Sequence, residues 1–155
     1  MITTSQTIRP CLEEKMNEHS FGKHISLINR AAQGYFSSRL KAYHIGPGQQ
    51  AYLLTLLPHE SIMQEELARR LQVDKANVTR AIKGLVEQGY VKRERSEVDK
   101  RALLITLTEK GVQVRTEVEA IAFAWVQKVR SPLTDEEYKT MEAYLERIAN
   151  NLMQE

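Results

Sequence analysis

Residues 64–107 constrain the fold of this chain more than any other stretch, because three kinds of local pattern follow one another there without a break. A short segment at about 63–71 has leucines at helical spacing and is followed by a turn at 72–74. A longer helical segment covers 75–88 and meets Gly89, the residue type that most often ends a helix. Two short segments rich in β-branched and aromatic residues come next, so the order is helix, turn, helix and hairpin.

The longer helix divides into two faces. Asp74 is well placed to cap its first turn, because a carboxylate there accepts hydrogen bonds from free backbone N–H groups. At 100° per residue, the stripe predicted to be buried consists of Val78, Ala81, Ile82, Leu85 and Val86. The opposite face, predicted to meet solvent, carries Ala76, Thr79, Arg80, Lys83 and Glu87.

The hairpin is predicted from residues 90–95 and 102–107, which flank a polar tip. Alternation along the first strand places Arg93 and Arg95 on one face. Asp99 lies near the tip and would repel phosphate, so its expected role is structural. We predict that it pairs with a neighbouring Arg and fixes the shape of the tip.

This order predicts a mainly α protein with a small β-hairpin wing, namely a winged helix-turn-helix with dimerisation helices at its N- and C-terminal sides. Such a unit places its second helix in the major groove of DNA and its hairpin against the flanking backbone. Arginine suits guanine, whereas the methyl groups of alanine and threonine suit thymine. The residues predicted to contact double-stranded DNA are Lys75, Ala76, Asn77, Thr79, Arg80, Lys83, Arg93, Arg95, Lys100 and Arg101.

The flanking segments carry more apolar surface than a helix-turn-helix needs to close its own core. We therefore expect a twofold homodimer, which also suits a palindromic operator; the alternative is a monomer whose terminal helices fold back. The predicted division is an N-terminal arm at 1–20, a dimerisation helix at 21–45, the DNA-binding domain at 46–107 with a strongly apolar, buried helix at 49–57, and C-terminal dimerisation helices at 108–155.

Charge is unevenly distributed, although the formal net charge of +2 is too small to indicate a nucleic-acid partner. Ten Lys or Arg stand against five acids within residues 69–101, whereas two basic residues stand against six acids within 131–155. The basic excess coincides with the predicted helix-turn-helix and wing, and it supports the DNA-binding prediction.

Composition narrows the class of protein further. Cys11 is the single cysteine, which excludes an intramolecular disulfide and suits a reducing compartment. The chain shows neither a secretion signal nor an apolar run near the roughly 18 residues of a membrane span. The histidines at 19, 24, 44 and 59 are scattered. We expect a cytoplasmic protein with no metal site, no cofactor and no membrane partner.

Residues 66–111 resemble the MarR family of transcriptional regulators. The resemblance rests on a V-D-x-x-x-V-T-R turn and helix, an L-x-x-x-G-Y-V exit, a D-x-R wing and an L-T-x-x-G helix start, all in order. It implies a winged-helix dimer that represses transcription from palindromes, with Thr79, Arg80, Asp99 and Arg101 at the family's recognition-helix and wing positions. Met63 departs from the Ser or Thr that often begins the helix at 63–71.

The resemblance also implies a small aromatic or phenolic effector that binds between the DNA-binding and dimerisation parts and releases the DNA. Aromatic residues at helical spacing are equally typical of a protein core. The residues near the implied pocket are Tyr35, Arg39, Tyr43, His44 and Tyr52.

Two other interpretations compete with a sequence-specific regulator. A winged helix can be a protein-interaction module without specific DNA binding. An enzyme could use Cys11 as a nucleophile with a histidine base, but the chain has no Cys/His signature and no glycine-rich phosphate loop. We therefore expect no enzymatic activity.

Overall fold

The computed structural model describes residues 5–153, with side chains from residue 20 onward, so the side chains of Cys11 and His19 lie outside the described part. A single 3₁₀ turn, Lys41–Tyr43, follows the first helix. The elements in chain order are α1 Ser5–Leu40, α2 Gln49–Thr55, β1 Ser61–Met63, α3 Gln64–Leu71, α4 Lys75–Glu87, β2 Val91–Arg95, β3 Leu103–Leu107, α5 Glu109–Arg130 and α6 Asp135–Leu152. The mainly helical fold with a small wing is as predicted.

The first helix starts earlier than the sequence pattern indicates. We expected a helix from Phe21 and an N-terminal arm before it, but α1 begins at Ser5, so the division at residue 20 falls inside a helix. Residues 5–20 lack an apolar period, yet they include Glu, Lys, Met and Leu, which have high helix propensity. Extending an existing helix adds one hydrogen bond per residue, so it needs no buried stripe.

The sheet has three antiparallel strands in the order β1-β3-β2, which adds a strand to the predicted hairpin. Ile62 of β1 pairs with Ile105 of β3, and both side chains are buried. Next to them the hydroxyls of Ser61 and Thr106 lie 2.9 Å apart in a hydrogen bond. A strand of three residues is too short to show alternation, which is why the sequence pattern did not indicate it.

The core lies between α2, α3, α4 and the sheet. Its fully buried side chains include Leu40, Leu53, Leu67, Val78, Ile82, Leu85 and Ile105. Two burial predictions were wrong. Val86 is 38% exposed, because Leu85 takes the inward position at the end of α4. Leu57 is 50% exposed, because α2 ends at Thr55 and the chain turns outward at Pro58.

Side chains cap the starts of α4, α5 and α6, as predicted for Asp74, whereas the start of α3 is an exception. The Asp74 carboxylate accepts from the Asn77 N–H at 2.8 Å, and the Thr108 hydroxyl accepts from the Gly111 N–H at 3.0 Å. Thr134 and Glu137 form a reciprocal capping box. The exception is α3, where Met63 offers no side-chain cap and the hydroxyl of Ser61 is used in the sheet instead.

Arg115 attaches α5 to the rest of the fold. Its guanidinium donates to the carbonyl of Leu56 at 2.9 Å and to that of Leu54 at 3.1 Å, so it caps the C-terminal end of α2. It also forms an ion pair with Glu119 at 3.0 Å. No sequence pattern indicates this role, because the partners are backbone carbonyls about sixty residues earlier in the chain.

Gly111 permits a second close contact of α5. A methyl group at this position would overlap the carbonyl oxygen of Tyr90, which itself accepts a hydrogen bond from the Thr108 N–H at 3.0 Å. The start of α5 therefore rests directly on backbone at the entry to β2. None of the described helices contains a segment long and apolar enough to cross a membrane.

We expect Gly111→Ala to lower the free energy of unfolding by about 1–3 kcal/mol, because the added methyl group must displace backbone. Gly34→Ala is the matched control, since a Cβ at Gly34 meets nothing within 4 Å. That change should stabilise α1 by about 0.5–1 kcal/mol through its higher helix propensity. Urea unfolding followed by circular dichroism, at one protein concentration, measures both; equal stability of the two variants would contradict the packing described.

Candidate nucleic-acid interface

α4 presents a polar face because four of the five residues of its apolar stripe are buried in the core. Val78, Ile82 and Leu85 are inaccessible to solvent and Ala81 is nearly so. The opposite face therefore points away from the fold, as the helical period predicted. Its exposed residues are Lys75, Ala76, Thr79, Arg80, Lys83 and Glu87.

The first turn of α4 is fixed by a chain of polar contacts. Asn77 donates through its side-chain amide to Asp74 at 2.7 Å, in addition to the backbone cap. The guanidinium of Arg80 in turn donates to the amide oxygen of Asn77. At the first residue of the same turn, Lys75 is paired with Glu65 of α3 at 2.6 Å. Asn77 thus orients Arg80 within the protein, a role that the sequence pattern did not indicate.

Thr79 is exposed, yet its hydroxyl is engaged inside the protein. It donates to the carbonyl of Lys75 at 2.9 Å and accepts from the side-chain amide of Gln64 at 2.8 Å. Gln64 begins α3 and is only 2% exposed. Sequence reasoning missed Gln64, because a glutamine in the first turn of a helix usually faces solvent.

The cations of α3 are neutralised locally and do not add to this surface. Arg70 pairs with Glu60 at 2.7 Å and with Glu66 at 2.9 Å, while Arg69 pairs with Glu66 at 2.8 Å. Hydrogen bonds from Arg69 and then Arg70 lower the pKa of Glu66 to about 2. The basic excess noted in the sequence therefore acts mainly through α4 and the wing, defined here as β2, β3 and the tip between them.

Asp99 shapes the tip of the wing through backbone contacts. Its carboxylate accepts from the N–H of Arg101 at 2.9 Å, and its carbonyl accepts from the N–H of Ala102 at 2.9 Å. The structural role is as predicted, but the predicted partner was wrong. Among the described residues no guanidinium pairs with Asp99. The short side chain of an aspartate is well placed to accept a hydrogen bond from the backbone N–H two residues later, an arrangement called an Asx turn. An ion pair would instead require a long arginine side chain to be held in one conformation.

The wing carries several cations without acidic partners. The register places Arg93 and Arg95 on one face of β2, as predicted, while Lys92 and Glu94 form an ion pair at 3.4 Å on the other. Within the described part of the chain, the basic side chains of the interface that form no ion pair are Arg80, Arg93, Arg95, Lys100 and Arg101, whereas Lys83 lies 3.9 Å from Glu87.

The five residues predicted to bind a ligand belong to two environments and do not share one pocket. Arg39 stacks on the ring of Tyr35 at 3.8 Å, and the Tyr35 hydroxyl donates to the carbonyl of Ile121 on α5 at 3.2 Å. At the end of the same segment the Tyr43 carbonyl accepts from the hydroxyl of Tyr90, and His44 is exposed with a left-handed backbone. A left-handed residue at 44 turns the chain, which separates these positions from α2.

Tyr52 lies elsewhere, in an open groove of about 420 Å³ in front of α4. Partial burial, and next the charge of Asp74, raise the pKa of its phenol, whereas Arg80 opposes this shift. The groove is lined by Gly46, Pro47, Gly48, Gln49, Tyr52, Asn77, Arg80 and Ala81. One predicted ligand residue thus shares a groove with two residues predicted to contact DNA. Across the described residues, no group of three or more His, Cys, Asp or Glu side chains could hold a metal ion.

The arrangement resembles known proteins in both sequence and fold. The MarR family model matches residues 45–103. The uncharacterised HTH-type transcriptional regulator YybA of Bacillus subtilis (strain 168) is 30% identical over 130 residues, which cover 84% of this chain and 87% of YybA.

Solved structures of MarR-family proteins have the same fold as this chain. A MarR transcriptional regulator from Methanosarcina mazei Go1 superposes with a TM-score of 0.76 at 34% identity, over 88% of this chain and 98% of that one. A mutant of MarR from Escherichia coli, solved in complex with operator DNA, gives a TM-score of 0.73 at 26% identity, over 83% of this chain and 93% of that one. The chain belongs to the MarR family of transcriptional regulators, whose members are not enzymes.

Proposed function

We propose that this regulator is a homodimeric repressor that binds a palindromic operator in the cytoplasm and leaves it when a small aromatic ligand binds. The observation that carries the proposal is the exposed face of α4, on which Arg80 has no acidic partner among the described residues and is oriented by Asn77. The Escherichia coli MarR mutant that was solved in complex with operator DNA has the same fold, and it supports the proposal that this chain binds DNA.

In this proposal α4 reads bases and the wing binds the backbone. Arg80 stands in the N-terminal half of α4, the part of such a helix that usually meets base edges, and a guanidinium can donate two hydrogen bonds to guanine. The unpaired cations of the wing would bind phosphate or enter the minor groove. The DNA-contacting set is Lys75, Ala76, Asn77, Thr79, Arg80, Lys83, Arg93, Arg95, Lys100 and Arg101.

Dimerisation is supported by apolar side chains that the single chain leaves in solvent. They lie on the outer part of α1 and along α6, in which no residue is buried. Clusters of this kind mark interaction surfaces. A second copy of the chain covers both at once and places two α4 helices on successive turns of DNA. The exposed residues are Phe21, Ile25, Leu27, Ile28, Tyr144, Leu145, Ile148 and Leu152.

Ligand release is supported by the groove in front of α4. A small phenol or aromatic acid seated beside Tyr52 would contact Arg80 and Asn77. It would then compete with DNA for Arg80, the cation on which base reading depends. The position of Tyr52 favours this groove over the Tyr35 and Arg39 environment, where the side chains are already stacked on one another.

Arg80→Ala should weaken operator binding by about 1–3 kcal/mol and relax the preference at one base pair. Lys100→Ala should instead weaken binding to all sequences alike and reduce the slope of log K against log salt by about 1. Fluorescence anisotropy over a salt series, on operator and scrambled DNA, separates the two effects. Lys139→Ala on α6 is the control for loss of an exposed positive charge. It should change neither the sequence preference nor the salt dependence of DNA binding.

Equal losses on operator and scrambled DNA for Arg80→Ala would remove its base-reading role. Wild-type binding that ignores sequence at moderate salt would remove the repressor proposal and favour a protein-interaction module.

Replacing Ile148 by Glu should dissociate the dimer, because a carboxylate cannot be desolvated in an apolar interface without a partner. We expect sedimentation to report the monomer mass and operator affinity to fall at least tenfold, since each half-site is then bound alone. Asn150→Glu introduces the same single negative charge at an exposed position on the opposite side of α6 and serves as the control. A dimer that persists in Ile148→Glu would contradict the assigned interface.

Millimolar phenol or benzoate should raise the apparent Kd of the wild-type protein for operator DNA. Tyr52→Ala should reduce this effect, while Arg39→Ala should retain it, because Arg39 lies in the other environment. If only Arg39→Ala abolishes the effect of phenol or benzoate on DNA binding, the ligand site lies between α1 and α5 instead. If neither compound changes wild-type binding, the proposed response to aromatic ligands is wrong.

A further inference from the structure

Gln64 is the one polar residue buried among the described side chains, and it lies between α3 and α4. Its amide nitrogen donates to the Thr79 hydroxyl at 2.8 Å, but its amide oxygen is buried without a hydrogen-bond partner in the described structure. A buried oxygen in that state costs free energy that an apolar side chain would not. Stability alone therefore does not explain a glutamine at this position.

The contact fixes the side chain of Thr79. In an α-helix a threonine divides between two rotamers, because its hydroxyl can bond a carbonyl of the preceding turn. Here the hydroxyl donates its only proton to the carbonyl of Lys75 at 2.9 Å and accepts from Gln64. It has no proton left for a base. The amide of Gln64 selects the rotamer in which the hydroxyl faces inward.

The surface that Thr79 offers to DNA is consequently its methyl group. Thr79 is exposed while its oxygen is turned into the protein, and Ala76, one turn earlier on the same face, adds another exposed methyl. The 5-methyl group of thymine is the apolar feature of the major groove, and alanine and threonine methyl groups are among its usual contacts.

We propose that Thr79 reads a thymine through its methyl group, and that Gln64 is the positioning residue that fixes Thr79 in this orientation. The inference rests on the proposed binding of a specific operator by α4. It assigns one preferred base, thymine, and one recognition chemistry, apolar contact without a hydrogen bond from the hydroxyl.

The test begins with an operator selected by the full-length wild-type protein from random-sequence DNA. Each thymine of a half-site is then replaced by 2′-deoxyuridine, which lacks only the 5-methyl group. We expect one position per half-site at which the replacement weakens binding about fourfold, as for one buried methyl group. Thr79→Ser, which keeps the hydroxyl and loses the methyl, should bind both DNAs equally. Thr79→Val, which keeps the methyl, should retain the fourfold discrimination.

Gln64→Met tests the positioning role, because it keeps the length of the side chain and removes the amide. It should reduce discrimination between thymine and deoxyuridine at that position without lowering the unfolding free energy. Combined with Thr79→Val it should have no further effect, because no hydroxyl remains to be fixed. Gln50→Met is the matched control, since the Gln50 amide oxygen is also buried without a partner but Gln50 is not bonded to Thr79.

Four outcomes would contradict the inference in whole or in part. Failure to select any operator removes the proposed function and this inference with it. A selected operator with no deoxyuridine effect that depends on Thr79 removes this inference alone. If Thr79→Val no longer discriminates between thymine and deoxyuridine but Thr79→Ser still does, the hydroxyl of Thr79 and not its methyl group is responsible for recognition. If Gln64→Met lowers stability and affinity for all DNAs alike, Gln64 is only a packing residue.

Discussion

Burial of the apolar stripe of α4 is the interaction on which the rest of the structure depends. Val78, Ile82 and Leu85 are fully enclosed by α2, α3 and the sheet, so α4 cannot rotate about its axis without exposing them. Each such side chain contributes about 1.5–3 kcal/mol when buried. Because a helix has a fixed period, enclosing one face determines which side chains project on the other. The exposed position of Arg80 follows from packing rather than from its own contacts.

Polar contacts fix the positions of loops and side chains around α4 that apolar packing does not determine. Gln49 donates to the carbonyl of Ala81 at 3.3 Å and accepts from the N–H of Gly46 at 2.8 Å, so it ties the loop before α2 to the middle of α4. A Cβ at Gly84 would crowd the side-chain amide of Gln49, so a larger residue there would displace the hydrogen bond from Gln49 to Ala81. The low helix propensity of Gly84 lowers the stability of α4 locally, and the contact of Gln49 with α4 offsets that loss.

The sequence predicted the parts of the fold that depend on local chemistry. The helical period predicts the two faces of α4, and the predicted cap at Asp74 involves a partner only three residues away. Contacts between distant residues had no such signal. Gln64 and Thr79 are fifteen residues apart, and the distant partners of Arg115 are the backbone carbonyls of Leu54 and Leu56, so no pairing of residue types indicates these contacts.

The same difference explains the errors. Strand β1 is defined by its partner β3 and not by a pattern of its own, whereas the early part of α1 forms from helix propensity without an amphipathic period. The scattered ligand residues show a further limit. Helical spacing groups Tyr35 with Arg39, but only the turn at His44 determines that Tyr52 lies with α4 instead.

Helix α2 connects α5 to α4, because the contacts of Arg115 and Gln49 lie at its two ends. At its C-terminal end α2 is capped by Arg115 of α5, and at its N-terminal end Gln49 bonds α4. A helix of seven residues is short and stiff, so its two ends move together. A displacement of α5 relative to the winged helix must break the bonds of Arg115 or carry α2 with it. In the second case the loop at residues 46–48 and the groove beside Arg80 change shape, so the orientation of α4 depends on helices that never approach its exposed face.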